Sequence, residues 1–183
     1  ADHMYQLGMA ASDELQMMAE GGDISGLSGL LTSADKAENP AAGLLAPGMS
    51  TLTMLSTDAA NTRLSIVSML LPTNDGFVGL DSWTIPTEAG SYTIYLNGYD
   101  AGTEANDEII NGGGAPGAPG IPADPSGNNG TGATGVTDME MTQVVHVHRG
   151  ALGDTDASGG SSDLNSTVHR WLNPVAKVTV TVK

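Results

Sequence analysis

Three short segments carry acidic side chains in a pattern that could bind a cation: Pro72-Thr73-Asn74-Asp75-Gly76 on to Asp81, Tyr99-Asp100-Ala101-Gly102-Thr103-Glu104, and Asn106-Asp107-Glu108. Each borders an apolar stretch, so each is expected at a strand end. Calcium takes about six to eight oxygens from carboxylates, amides and carbonyls. Two such loops meeting at one edge of a β-structure would supply them. The EF-hand loop pattern is absent. The same residues also suit a plainer role, with Asp75 and Asp100 capping turns through Asx hydrogen bonds.

Four histidines offer a second chemistry: His3, His146, His148 and His169. His146 and His148 stand two apart in a strand-like stretch, so both imidazoles would leave the same face. Copper and zinc accept imidazole, and the nine methionines carry thioethers that suit Cu(I). Met4 adjoins His3, while Met139 and Met141 precede the histidine pair. With Ala1 as the mature terminus, Ala1-Asp2-His3 forms a four-nitrogen Cu(II) chelate. Methionine is equally a core filler, and paired histidines often serve as buried hydrogen-bonding groups.

Catalytic signatures are missing. There is no Gly-x-Ser-x-Gly elbow and no His-Glu-x-x-His. Only Trp83 and Trp171 offer large platforms for a sugar. A binding protein is therefore expected rather than an enzyme. The net charge of −15, with six Lys plus Arg, repels nucleic acid and anionic lipid and attracts cations. Without cysteine there are no disulfides, thiolate metal sites or cysteine nucleophiles. No apolar run is long enough to span a bilayer.

These groups need elements to position them. Ser12 to Glu20 reads as a short helix with Ser12 as N-cap and Gly21-Gly22 as its stop. Asp23 is expected to cap a second helical turn carrying Ile24, Leu27, Leu30 and Leu31. Strands are expected at 49–55, 63–71, 91–96, 142–148 and 175–182. In the last, Ala176, Val178, Val180 and Val182 take one face and Lys177, Thr179 and Thr181 the other. Residues 111–135 form a glycine- and proline-rich loop, and 154–163 a second polar loop. Short strands with little helix predict a single all-β domain over 1–183, an antiparallel sandwich.

The segment Met69-Leu70-Leu71-Pro72-Thr73-Asn74-Asp75-Gly76-Phe77-Val78-Gly79-Leu80 resembles the signature of the spondin amino-terminal domain family. So do Tyr99-Asp100-Ala101-Gly102-Thr103-Glu104, the helix around Ala11-Ser12 and Met18-Ala19-Glu20, and the closing stretch from His169-Arg170-Trp171 to Val180. The resemblance is greatest to the family's cysteine-free bacterial branch. It implies a C2-like β-sandwich with calcium at one edge, held by Asp75, Asp100 and Glu104, with Asp81 a further candidate. That branch is also similar to surface copper-binding proteins of methane-oxidising bacteria, which implies copper at His3 with a partner among His146, His148 and His169.

The expected function is thus a secreted or cell-surface, non-enzymatic metal-binding protein with structural calcium and a histidine copper site. Outer-membrane-associated and periplasmic placements stay open as alternatives. The rival expectation is a calcium-dependent adhesion module that contacts a cell-envelope or matrix protein and has no copper role.

Overall fold

The structure, a computed structural model, describes residues 3–110, 143–156 and 160–183. The loop expected at 111–135, the methionines Met139 and Met141, and Ala1-Asp2 lie outside the described residues.

Helix α1 spans Asp13–Gly21. Ser12 Oγ accepts the Leu15 amide, Asp13 and Glu14 sit at the positive end, and Gly22 closes the helix at φ 70°. Its apolar face, Leu15, Met18 and Ala19, is buried with Leu27 of α2 (Ser25–Leu30). The N-cap of α2 is Ile24 rather than the expected Asp23, whose Oδ1 accepts the Ser25 amide beside it. Removing the α1 cap with Ser12→Ala is expected to lower stability by about 1 kcal/mol, read by urea denaturation.

Five strands join in one antiparallel sheet: β1 Arg63–Met69, β2 Gly76–Thr84, β3 Gly90–Asp100, β4 His146–Val147 and β5 Ala176–Val182. The expected antiparallel all-β class with two short helices is present. The expected faces of β5 hold too, with Lys177, Thr179 and Thr181 exposed and the alternate positions half-buried.

Three strand expectations need correction. Residues 49–55 form no strand; Leu52 and Met54 are largely exposed, because no neighbouring strand pairs with them. The strand expected at 142–148 is, within the described residues, only β4. It meets β3 at Tyr99 and Asp100 and then runs into Gly150, whose φ is +90°. Conversely, Gly76 to Asp81 is not loop. It begins β2, whose Phe77 to Leu80 pair with Met69 to Ile66 of β1, and this carries Asp81 away from the loops.

Strand β3 organises the sheet. Gly98 directs its amide to Asn173 Oδ1 (2.6 Å) and its carbonyl to the His148 amide (3.0 Å). Even-numbered residues of β3 therefore turn their backbone groups toward β4 and β5, and odd-numbered ones toward β2. The Asn173 side chain fills the place between β4 and β5, also donating to His148 O at 3.2 Å. On the other edge the β2 ladder covers only 97–100 and ends at Gly79 and Asn97. The main core packs Phe77, Tyr5 and Ala101 with α1. Tyr5 lies within 2.7 Å of where a Cβ on Gly79 would stand, so that glycine admits the ring.

Candidate functional site

Two chain reversals meet at the end of β3. Residues 70–75 turn from β1 into β2, and 101–107 leave β3; the Ala101 amide donates to Asp75 O at 3.2 Å and joins them. Asp75 is fully buried. Its Oδ2 accepts the Thr103 amide (2.7 Å), the Thr103 hydroxyl (3.2 Å) and the Glu104 amide (3.1 Å). Its Oδ1 is buried with no hydrogen-bond partner among the described residues. Asp100, also buried, accepts the Gly102 amide on Oδ1 (2.8 Å) and the Asn106 amide group on Oδ2 (2.6 Å). Glu104, Asp107 and Glu108 are buried in the same turn.

Burial and then the negative charge of Asp100 push the Asp75 carboxyl up to about 7, against the pull of the Thr103 and Glu104 donors. Arg149 reaches this region, but its guanidinium donates to the Asn106 carbonyl (3.2 Å).

A second network backs the first. Asn74 donates to Asp107 Oδ1 (3.0 Å) and accepts the Glu108 amide (3.3 Å). The Glu108 carboxylate accepts the amides of Leu152 (2.6 Å) and Gly153 (2.8 Å) and the Ser162 hydroxyl (2.6 Å). Sequence reasoning placed Glu108 only in an acidic loop segment and gave it no structural partners. Its partners lie more than forty positions downstream, and nothing local announces them.

The histidines divide by tautomer. His146 Nδ1 lies 2.9 Å from Val144 O, which only accepts, so Nδ1 carries the hydrogen and Nε2 the lone pair. His148 Nδ1 instead accepts the Gly150 amide (2.9 Å), so its Nε2 is N–H. That nitrogen lies 4.0 Å from Asp100 Oδ2, with His146 Nδ1 3.8 Å from Asp100 Oδ1. The pair does converge, but on the carboxylate expected to bind calcium. His148 also packs on Trp171, with ring centroids 4.9 Å apart. His169 Nδ1 accepts the Asn165 amide (2.9 Å), so its Nε2 is N–H as well.

His3 stands elsewhere, over β2. Its Nδ1 bonds Asp81 Oδ2, and Asp81 Oδ1 accepts the Met4 amide at 2.9 Å. A carboxylate accepts only, so Nδ1 carries a hydrogen. The four-nitrogen chelate closes through Nδ1, so the chelate and this ion pair exclude each other. Asp81, for its part, is committed to His3 rather than to the Asp75–Asp100 edge.

Among the described residues no three His, Asp or Glu side chains surround a common point as ready-made ligands. No described helix is long and apolar enough to cross a membrane. A family model for the spondin amino-terminal domain (Spondin_N) matches residues 1–109. The chain belongs to the spondin amino-terminal domain family. Membership points to an extracellular domain. The spondin match takes in His3, Asp75, Asp81, Asp100 and Glu104, and ends before His146, His148 and His169. No curated protein is significantly similar to the chain.

Proposed function

We propose that this spondin domain is a non-catalytic, secreted or cell-surface module that holds a calcium ion between the turns at 70–75 and 101–107. Asp75, Asp100 and Glu104 are its carboxylate ligands. The observation that carries the reading is Asp75 Oδ1, a fully buried carboxylate oxygen without a partner among the described residues, beside a second buried carboxylate. Such a group must be protonated or matched by a cation. The three carboxylates offer oxygen ligands, which suit a hard ion. Among the described residues no three such side chains stand around one point, so binding requires that the ion draw these carboxylates in. Calcium then supplies the stability that this cysteine-free chain cannot draw from disulfides.

The test is calorimetric titration of chelator-treated protein with calcium, beside thermal melts. A one-to-one isotherm with a rise in melting temperature is expected. A flat titration with unchanged melting overturns the reading.

A second metal reading rests on His3. A carboxylate that holds one imidazole nitrogen, as Asp81 holds His3 Nδ1, is the arrangement that supports a metal bound at the other. Copper at His3 Nε2 is accordingly proposed as a surface function. Asp81→Asn is expected to lower copper affinity about tenfold, and His3→Ala to lower it to that of the remaining surface. Unchanged copper binding in both variants leaves the adhesion module, with calcium as its structural ion and an envelope or matrix protein as partner.

A further inference from the structure

The β2-facing edge of β3 carries observations that the cation site does not use. Odd-numbered residues turn their amides and carbonyls to this edge, yet β2 pairs only with 97–100. The backbone groups of Ser91, Thr93 and Tyr95 on this side have no partner strand among the described residues, while β5 satisfies the opposite edge from Gly90 to Leu96. Residues Gly90 to Tyr99 hold no charge and no proline, the two devices that usually blunt an exposed edge. Where β2 parts from β3 lies a cleft of about 450 Å³, lined by Tyr5, Tyr95, Tyr99, Asn97, Asp81 and His3. Tyr5 and Tyr99 pack with ring centroids 5.0 Å apart, and Tyr95 is 66% exposed.

We propose that this edge and cleft dock an extended, basic segment of a partner protein. The segment's backbone continues the sheet along Ser91, Thr93 and Tyr95, and one of its Lys or Arg side chains enters the tyrosine cleft. Main-chain hydrogen bonds supply the affinity of such strand addition, and side-chain pockets its selectivity. The choice of a basic occupant follows from charge. The protein carries −15, Asp81 is the carboxylate in the cleft, and tyrosine faces attract cations. A second copy of the chain brings another −15 and is disfavoured. The inference is independent of the calcium reading and shares His3 and Asp81 with the copper reading.

The probe is a labelled, end-blocked octapeptide that alternates Lys with Val and Thr, compared with the same peptide bearing Glu for Lys. Fluorescence anisotropy with the full chain measures binding. The Lys peptide is expected to bind at least about tenfold tighter than the Glu peptide. Tyr95→Ala is expected to weaken it about tenfold, whereas Tyr95→Phe, which keeps the ring, binds like the parent. Thr93→Pro removes an amide from the open edge and none from the β5 ladder, so it should fold yet lose the peptide. Circular dichroism checks its folding, and calcium titration of each variant should match the parent.

Equal binding of both peptides overturns the proposal. So does Lys-peptide binding that survives both Tyr95→Ala and a folded Thr93→Pro, since that is attraction to the acidic surface alone. If neither peptide binds and Thr93→Pro instead abolishes a concentration-dependent dimer, a second copy fills the edge and the proposal fails.

Discussion

Asp75→Asn protein is expected to be more stable than the parent above about pH 8 in the absence of calcium, and to have lost its response to calcium. The two effects have opposite signs and one origin. The folded protein raises the Asp75 carboxyl from 3.8 to about 7. A carboxyl raised on folding contributes its full relative stability below its unfolded value, and that contribution is lost as pH climbs through the folded value. Calcium-free protein should therefore weaken between about pH 4 and pH 7, by at most about 4 kcal/mol from this group. Asparagine carries no charge at any of these pH values. Its oxygen can take the Thr103 and Glu104 donors, and its amide nitrogen can occupy the place of the partnerless Oδ1 without adding charge beside Asp100. Calcium affinity should fall by more than about a hundredfold, since loss of an outer-shell partner alone costs about 10–100-fold. Urea denaturation with chelator or with calcium, across pH, reads both. A variant that melts like the parent in chelator and still gains stability with calcium removes Asp75 from the site.

The second large effect is expected at Glu108. In Glu108→Ala, the amides of Leu152 and Gly153 and the Ser162 hydroxyl lose their acceptor together, and all three bonds are 2.8 Å or shorter. The Ser162 hydroxyl is buried and the Leu152 and Gly153 amides half-buried; an unmatched buried donor costs about 1–3 kcal/mol and a half-buried one less, so a loss of about 2–4 kcal/mol is expected from equilibrium denaturation. Glu108→Gln retains one acceptor oxygen and should lose roughly half as much. A loss under about 1 kcal/mol for the alanine variant means that water replaces the carboxylate readily.

Much of this was legible in the residues, and the rest was not for identifiable reasons. Ser12 and Gly22 announced α1 because caps are local chemistry. The alternation of β5 announced its two faces for the same reason. The strand at 49–55 was misread because alternation says nothing about whether a neighbour exists to pair with it. Asp81 was misread as a loop residue because Gly76 and Gly79 weaken the strand pattern around Phe77. At the site, family likeness pointed to Asp75, Asp100 and Glu104, and these turns do meet. The division of the histidines was invisible in advance. It depends on which backbone group each Nδ1 meets, and only the fold decides that.

The ladder between β3 and β5 also bears on synthesis. Gly90 pairs with Val182 and Leu96 with Ala176, so some eighty residues intervene between the two strands. While the polypeptide leaves the ribosome, β3 is complete long before its neighbour emerges, and for that interval it presents hydrogen-bonding rims on both sides along an uncharged stretch. Nascent chains in this condition are vulnerable to mispairing with one another. Slow elongation before the last turn would lengthen that exposure, and a holdase that covers Gly90 to Tyr99 would protect it.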